Sequence, residues 1–167
     1  MGHQRILDVT ESPDHVDAVR ELFRAYAAEI GIDLGFQGFD EELAELPGCY
    51  AAPRGCILLA MDGERTVGCV ALRPLEEGVC ELKRMYVRPE YRGQKLAGAL
   101  ANEVITRAAA LGYKLMRLDT LAAMTAARRL YESFGFRVTE PYYHNPLPGV
   151  VYYELKLNRE LHVPGEN

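Results

Sequence analysis

The sequence predicts a mixed α/β fold, in which a sheet of antiparallel and parallel strands carries helices on both faces. Three observations carry that expectation. The stretch "CILLAMDGERTVGCVAL" is two β-rich runs joined at Asp62-Gly63, a strong hairpin signal, and "RPLEEG" turns the chain into a third run, "VCELKRMYV". Cys56 to Val87 is therefore an antiparallel meander. A long amphipathic helix and a further strand, "KLMRLDT", follow, and a strand–helix–strand order implies a right-handed parallel crossover. Last, "VCELKRMYV" changes phase: Cys80 and Leu82 share one face, whereas Met85 and Val87 lie on the opposite parity. A one-residue shift is what a β-bulge produces, and a strand buried on both faces is the simpler alternative.

The other elements follow from periodicity and punctuation. A first strand is expected around Arg5 to Val9. In "SPDHVDAVRELFRAYAAEI", Ser12 is a plausible N-cap and Pro13 takes the first helical position. Val16, Val19, Leu22, Phe23, Tyr26 and Ile30 then recur on one helical face. "FDEELAEL" is a shorter acidic helix ending before Pro47. After the meander, a helix runs from about Gln94 to Leu111 with Leu96, Leu100, Val104, Ala108 and Leu111 inward, closed by Gly112. "MTAARRLYESF" forms another through Met124, Ala127, Tyr131 and Phe134, ended by Gly135, and "VVYYELKL" alternates as a final strand.

A chain of 167 residues is most simply one domain, 1–167, with a core over about residues 5–157 and a C-terminal tail, 158–167. With 49% hydrophobic and 26% charged residues it has the composition of an ordinary globule, and a net charge of -5 argues against a general nucleic-acid binder. No apolar run approaches the roughly 20 residues of a membrane span. "MGHQRILDV" shows no signal-peptide pattern, and Ile6 stands where myristoylation requires Ser or Thr, so the expected address is cytoplasmic. Cys49, Cys56, Cys69 and Cys80 have neither a CxxC pair nor a histidine at metal spacing; reduced thiols, mostly in the core, are expected, and no metal.

Immediately after the phase change comes a basic turn, "RPEYRGQKLAGAL". Between Lys83 and Lys95 stand five cations and one acid, Glu90. The first amides of the following helix lack intrahelical acceptors, the helix dipole adds positive potential, and Gly93 can take φ > 0, so a pyrophosphate would fit. A solvated helix start with a basic surface is the ordinary alternative.

Together, "ELKRMYVRPEYRGQKLAGAL" and, some thirty residues later, "RLYESFGF" resemble the GNAT superfamily of N-acetyltransferases. The resemblance spans about Arg5 to Leu157. It implies the GNAT fold, a mostly antiparallel sheet of about seven strands splayed at a bulged fourth strand. The family's phosphate pattern, Arg/Gln-x-x-Gly-x-Gly/Ala, reads here Arg92-Gly93-Gln94-Lys95-Leu96-Ala97. Lys95 replaces the usual central glycine. Because the ligand there is a backbone N–H, any residue but proline supplies it. Met124 stands where the family often has an Asn that bonds the cofactor arm.

By resemblance, acetyl-CoA would lie between the bent strand and "KLMRLDT", without a metal. Met85, Tyr86 and Val87 would pair with its pantetheine like an added strand, and Arg92, Gly93, Gln94, Lys95, Leu96, Ala97 and Gly98 would hold its pyrophosphate. An amine would attack the thioester directly, with a backbone N–H near the bulge stabilising the oxyanion. Tyr131 matches the family's general-acid tyrosine, which protonates the leaving thiolate and also touches the cofactor; a core aromatic is the alternative. Glu81 is the candidate base, with an outward surface glutamate as the alternative. Tyr142, Tyr143, His144 and Asn145 in "PYYHNPLPG" could line an acceptor pocket, and His144 could be another base.

The expected activity is acetyl transfer from acetyl-CoA to a primary amine of a small molecule. A non-catalytic acyl-CoA-binding or regulatory module, or a protein or peptide N-acetyltransferase, stands as the alternative. The acceptor's identity and the length of the acyl group are not readable. The final strand's edge is where two subunits could pair as a homodimer.

Overall fold

The computed structural model describes residues 3–158, so the expected C-terminal tail lies outside the described residues except for Asn158. In chain order the elements are β1 (Gln4–Asp8), α1 (Val16–Ile30), α2 (Phe39–Glu45), β2 (Cys56–Asp62), β3 (Arg65–Glu76), β4 (Val79–Val87), α3 (Leu96–Ala110), β5 (Leu115–Leu121), α4 (Thr125–Ser133), β6 (Arg137–Thr139) and β7 (Val150–Lys156). The seven strands hydrogen-bond in the order β1-β2-β3-β4-β5-β7-β6, and β4 with β5 is the parallel pair expected from the crossover. Among the described residues no helix is long and apolar enough to cross a membrane.

Contacts divide the chain into two compact units. The first comprises residues up to Pro74 together with Leu82–Val104. In it β2 pairs with β1 and β3, and the turn after Asp62 carries φ 59 at Gly63. Odd-numbered Ile57, Leu59, Met61, Cys69 and Ala71 pack with Val19, Leu22 and Phe23 of α1 and Phe39 and Leu43 of α2. The opposite face receives α3: a Cβ on Gly68 would come within 3.3 Å of Leu100 and Val87 and 2.9 Å of the Tyr86 carbonyl, so only glycine permits this approach. With helices on both faces, β2 is apolar and buried from Cys56 to Met61 instead of alternating.

The second unit comprises Leu75–Glu81 and the described residues from Ile105 on. Its parallel ladder is Val79↔Leu115, Cys80↔Met116 and Glu81↔Arg117, while β7 pairs with β5 along all seven residues of each. Short β6 adds three residues to the other side of β7. Tyr131 of α4, Phe136 and Tyr153 form its aromatic centre.

Three local expectations change. Ser12 makes no side-chain cap bond; its hydroxyl pairs with His15 Nδ1 at 2.7 Å, and a short turn, Pro13–His15, precedes α1. "RPLEEG" is not a broad turn, because β3 continues through Glu76 and the chain reverses at Glu77-Gly78, with φ 74 at Gly78. α3 starts two residues later than expected, at Leu96, and Leu111 is exposed because the helix stops at Ala110. All four cysteines are free thiols; Cys49 is exposed, and burial pushes the Cys69 thiol up to about 12 against the opposing charge of Arg84.

Candidate active site

In the first unit, the phase change is a real irregularity centred on Arg84, which takes φ 59. Consecutive strand residues normally face opposite sides, yet Lys83 Nζ and Arg84 Nη1 both donate to Gln37 Oε1, at 3.1 and 3.0 Å. The strand is also buried on both faces before the irregularity, so both sequence alternatives describe it. Arg84 is 4% exposed. It donates to both Glu42 oxygens, at 2.9 and 3.0 Å, and its guanidinium lies 5.0 Å from the Phe39 ring and 5.8 Å from the Tyr26 ring. Burial alone would lower its pKa; the Glu42 hydrogen bonds and neighbouring charges outweigh that and hold it above the ordinary arginine value. The Tyr50 hydroxyl completes the cluster, donating to Glu42 at 2.9 Å.

The turn after β4 is less openly basic than its sequence. Arg88 bonds Glu21 at 2.8 Å and the Thr66 carbonyl at 2.8 Å, and Arg92 bonds Glu29 at 2.6 Å and the Val87 carbonyl at 3.0 Å. The missed signal was the acids of α1, Glu21 and Glu29, about two turns apart on one stripe. Within the turn Gly93 takes φ 81 and Lys95 takes φ 66, both left-handed. The Lys95 carbonyl accepts from the Ala99 N–H at 3.1 Å, so Lys95 is the residue from which α3 starts. Arg92, Gly93, Gln94 and Lys95 are exposed, Ala97 and Gly98 are partly so, and Leu96 is buried.

The conformation corrects the view that glycine is dispensable at Lys95. An N–H needs no glycine, but a left-handed φ costs any other residue about 1–2 kcal/mol. Lys95→Gly is therefore expected to raise stability by about 0.5–1 kcal/mol once glycine's larger unfolded-state entropy is counted. A urea-denaturation midpoint lower than that of the parent would show that Lys95 makes a compensating contact.

The second unit holds Glu81, Tyr131 and the loop after β6. Glu81 is not an outward surface residue: it is 0% exposed, and Tyr142 Oη donates to its Oε2 at 2.5 Å. Across three strands Glu81, Arg117 and Glu154 stand in one row. Arg117 bonds Glu154 at 3.0 Å and Glu76 at 2.9 Å, and its guanidinium lies 5.7 Å from the Tyr142 ring. Tyr131 is 5% exposed, with its ring edge-on to Phe136 at 5.7 Å and tilted against Tyr153 at 6.4 Å. Met124 occupies the N-cap position of α4 and gives that helix no side-chain cap; it accepts a weak bond from Thr120.

The loop is tied down by hydrogen bonds. Tyr143 donates to Asp119, Asn145 Nδ2 donates to the same carboxylate at 2.8 Å, and Tyr152 Oη donates to the Tyr143 carbonyl at 2.8 Å. Burial first, then Glu81 and Asp119, raise the Tyr142 phenol above its ordinary pKa; burial and the Asp119 bond do the same for Tyr143. Tyr142 and Tyr143 line a concavity of about 620 Å³, together with exposed His144, half-buried Asn145 and Leu147, and buried Tyr152. The four residues expected to form an acceptor pocket thus share one wall. Arg117, Asp119 and Tyr152 were missed; alternating charge in "MRLD" was the available signal, but no sequence pattern pairs it with a loop some 25 residues on.

Similarity to known proteins decides the family. Residues 16–136 match the acetyltransferase (GNAT) family, a span that contains the bulge, the turn, α3 and Tyr131. The chain belongs to that family. Its relatives include N-acetyltransferases: it is 46% identical to an uncharacterized N-acetyltransferase of Schizosaccharomyces pombe, covering 92% of this chain and 95% of that one. It is 38% identical to human N-acetylaspartate synthetase over 65% of this chain and 37% of that protein. A Salmonella typhimurium acetyltransferase solved with its cofactor acetyl-CoA shares the GNAT fold, with a TM-score of 0.66 at 18% identity over 93% of this chain and 94% of that one.

Proposed function

We propose that this GNAT-family enzyme transfers the acetyl group of acetyl-CoA to a primary amine of a small molecule, by direct attack in a ternary complex. Acyl transfer follows from family membership. The observation that carries the acetyl-CoA part of the proposal is the turn Arg92–Lys95, whose two left-handed residues lead into the first amides of α3. A Cβ on Gly93 would meet nothing within 4 Å, so the backbone there is open to an approaching anion. The amides from Arg92 to Gly98 would hold the pyrophosphate, and Met85, Tyr86 and Val87 would offer backbone to the pantetheine.

When bound, acetyl-CoA supplies a thioester-activated acetyl group. The chain's own residues supply orientation and two proton transfers. An alkyl amine with a pKa of about 10.4 is protonated near neutrality and must lose a proton before it can attack. We assign that proton to Glu81, and protonation of the departing thiolate to the Tyr131 hydroxyl. The small-molecule acceptor is supported by the size of the concavity, which falls in the ordinary range for small ligands, and by the acceptor that the human relative's name implies. Only the small size of that acceptor is carried over to this chain, not aspartate itself.

Acetyl-CoA is expected to stabilise the protein by about 2.7 kcal/mol at a hundredfold excess over its dissociation constant, read as a rise in melting temperature. No shift would reject the cofactor assignment. A shift without thiol release from any amine would favour the non-catalytic module.

A further inference from the structure

Glu81 has no exposed surface, and it is not among the residues that line the concavity. Tyr142 is. Its hydroxyl bonds Glu81 at 2.5 Å while the residue forms part of the concavity's wall, so this one side chain links the wall to the buried carboxylate. The ring is held in that position. Tyr143 lies 5.3 Å away, Tyr152 stands edge-on at 5.4 Å, and the Arg117 guanidinium, anchored by Glu154 and Glu76, lies 5.7 Å from the ring.

We infer that Tyr142 is a catalytic residue that relays the acceptor's proton to Glu81, an inference that rests on the acetyltransferase function proposed above. The ammonium group of the acceptor hydrogen-bonds to a lone pair on Tyr142 Oη. One N–H bond breaks as its proton passes to Oη, and the phenolic proton passes to Glu81 Oε2. The products are a neutral amine, a tyrosine that is again a phenol, and a protonated Glu81. The proton returns to solvent by the same route after the product leaves. The charged and titratable groups around the pair favour this arrangement. Burial, Glu81, Asp119 and Tyr143 keep Tyr142 in its phenol form, a donor toward the carboxylate, while Arg117 is held by two other carboxylates. Glu81 alone would require the amine to enter the protein interior. With the relay it need only reach the wall.

The relay has a pH signature that a packing role lacks. Below the amine's pKa, each unit of pH raises the free-amine fraction tenfold, so alkali substitutes for the relay. In thiol-release assays with an amine that the wild-type enzyme acetylates, Tyr142→Phe is expected to lower kcat about 100-fold near pH 7, with KM little changed. The defect should shrink about tenfold per pH unit and vanish by about pH 9. Glu81→Gln, which leaves the ring untouched, should show the same pH-dependent defect and covers the case in which Tyr142→Phe folds poorly. A wild-type-to-variant ratio that stays constant with pH, or no defect in either variant, would overturn the relay while leaving the acetyltransferase function standing. Failure of the wild type with every amine tested would overturn that function, and the relay with it.

Discussion

Tyr131→Phe is expected to lower kcat for thiol release by about 10²–10⁴-fold, with KM for acetyl-CoA changed little. The substitution removes one oxygen and keeps the ring. The edge-on contact with Phe136 and the tilted contact with Tyr153 should therefore survive, and the melting temperature should stay near that of the parent. The loss then isolates the hydroxyl's chemistry from the residue's packing. A general acid is needed less when the leaving thiol is more acidic, so the defect should shrink with an acetyl donor carrying such a thiol. An equal defect with both donors, or a fall in stability that accounts for the loss, would assign Tyr131 to the core alone.

Glu42→Ala should be among the most destabilising single substitutions, costing about 3–5 kcal/mol in urea denaturation. Glu42 takes both forks of a guanidinium that is 4% exposed and accepts the Tyr50 hydroxyl as well. Removing it leaves a buried cation with one fewer partner and a phenol without its acceptor. Replacing Arg84 and Glu42 together with apolar residues of similar volume should cost less than either single change, because no charge is then stranded. Arg84 is also the left-handed residue of the β4 irregularity, so the double variant tests whether the ion pair holds the kink. If Glu42→Ala lost less than about 1 kcal/mol, the pair would have to be effectively solvated.

Much of the architecture was legible because it is written in local spacing. Asp62-Gly63 marks its hairpin, Gly112 and Gly135 both take positive φ where helices end, and the two-three-two spacing of Cys80, Leu82, Met85 and Val87 locates a kink that the backbone places at Arg84. What could not be read depends on partners distant in sequence. Sequence left open whether Glu81 is buried or an outward surface glutamate, because nothing near it says that Tyr142, 61 residues on, covers it. Arg88 and Arg92 looked like free cations because their carboxylates belong to a helix more than 60 residues earlier. The β3 boundary failed for a local reason. Pro74 and the Glu-Glu-Gly run read as a turn, yet the strand carries Pro74 and reverses only at Gly78. The reading of Lys95 as a position that needs only an N–H missed its backbone conformation, because a left-handed φ leaves no mark in the sequence when a residue other than glycine carries it.

The most direct test of acetyl transfer to a small amine is mass-spectrometric detection of acetylated product across an amine panel, with released CoA thiol counted in the same reactions. The account predicts that at least one small amine gains one acetyl group per thiol released, and that Tyr131→Phe depresses both signals together. Thiol release without acetylated amine in any reaction, or no release despite bound acetyl-CoA, would contradict it.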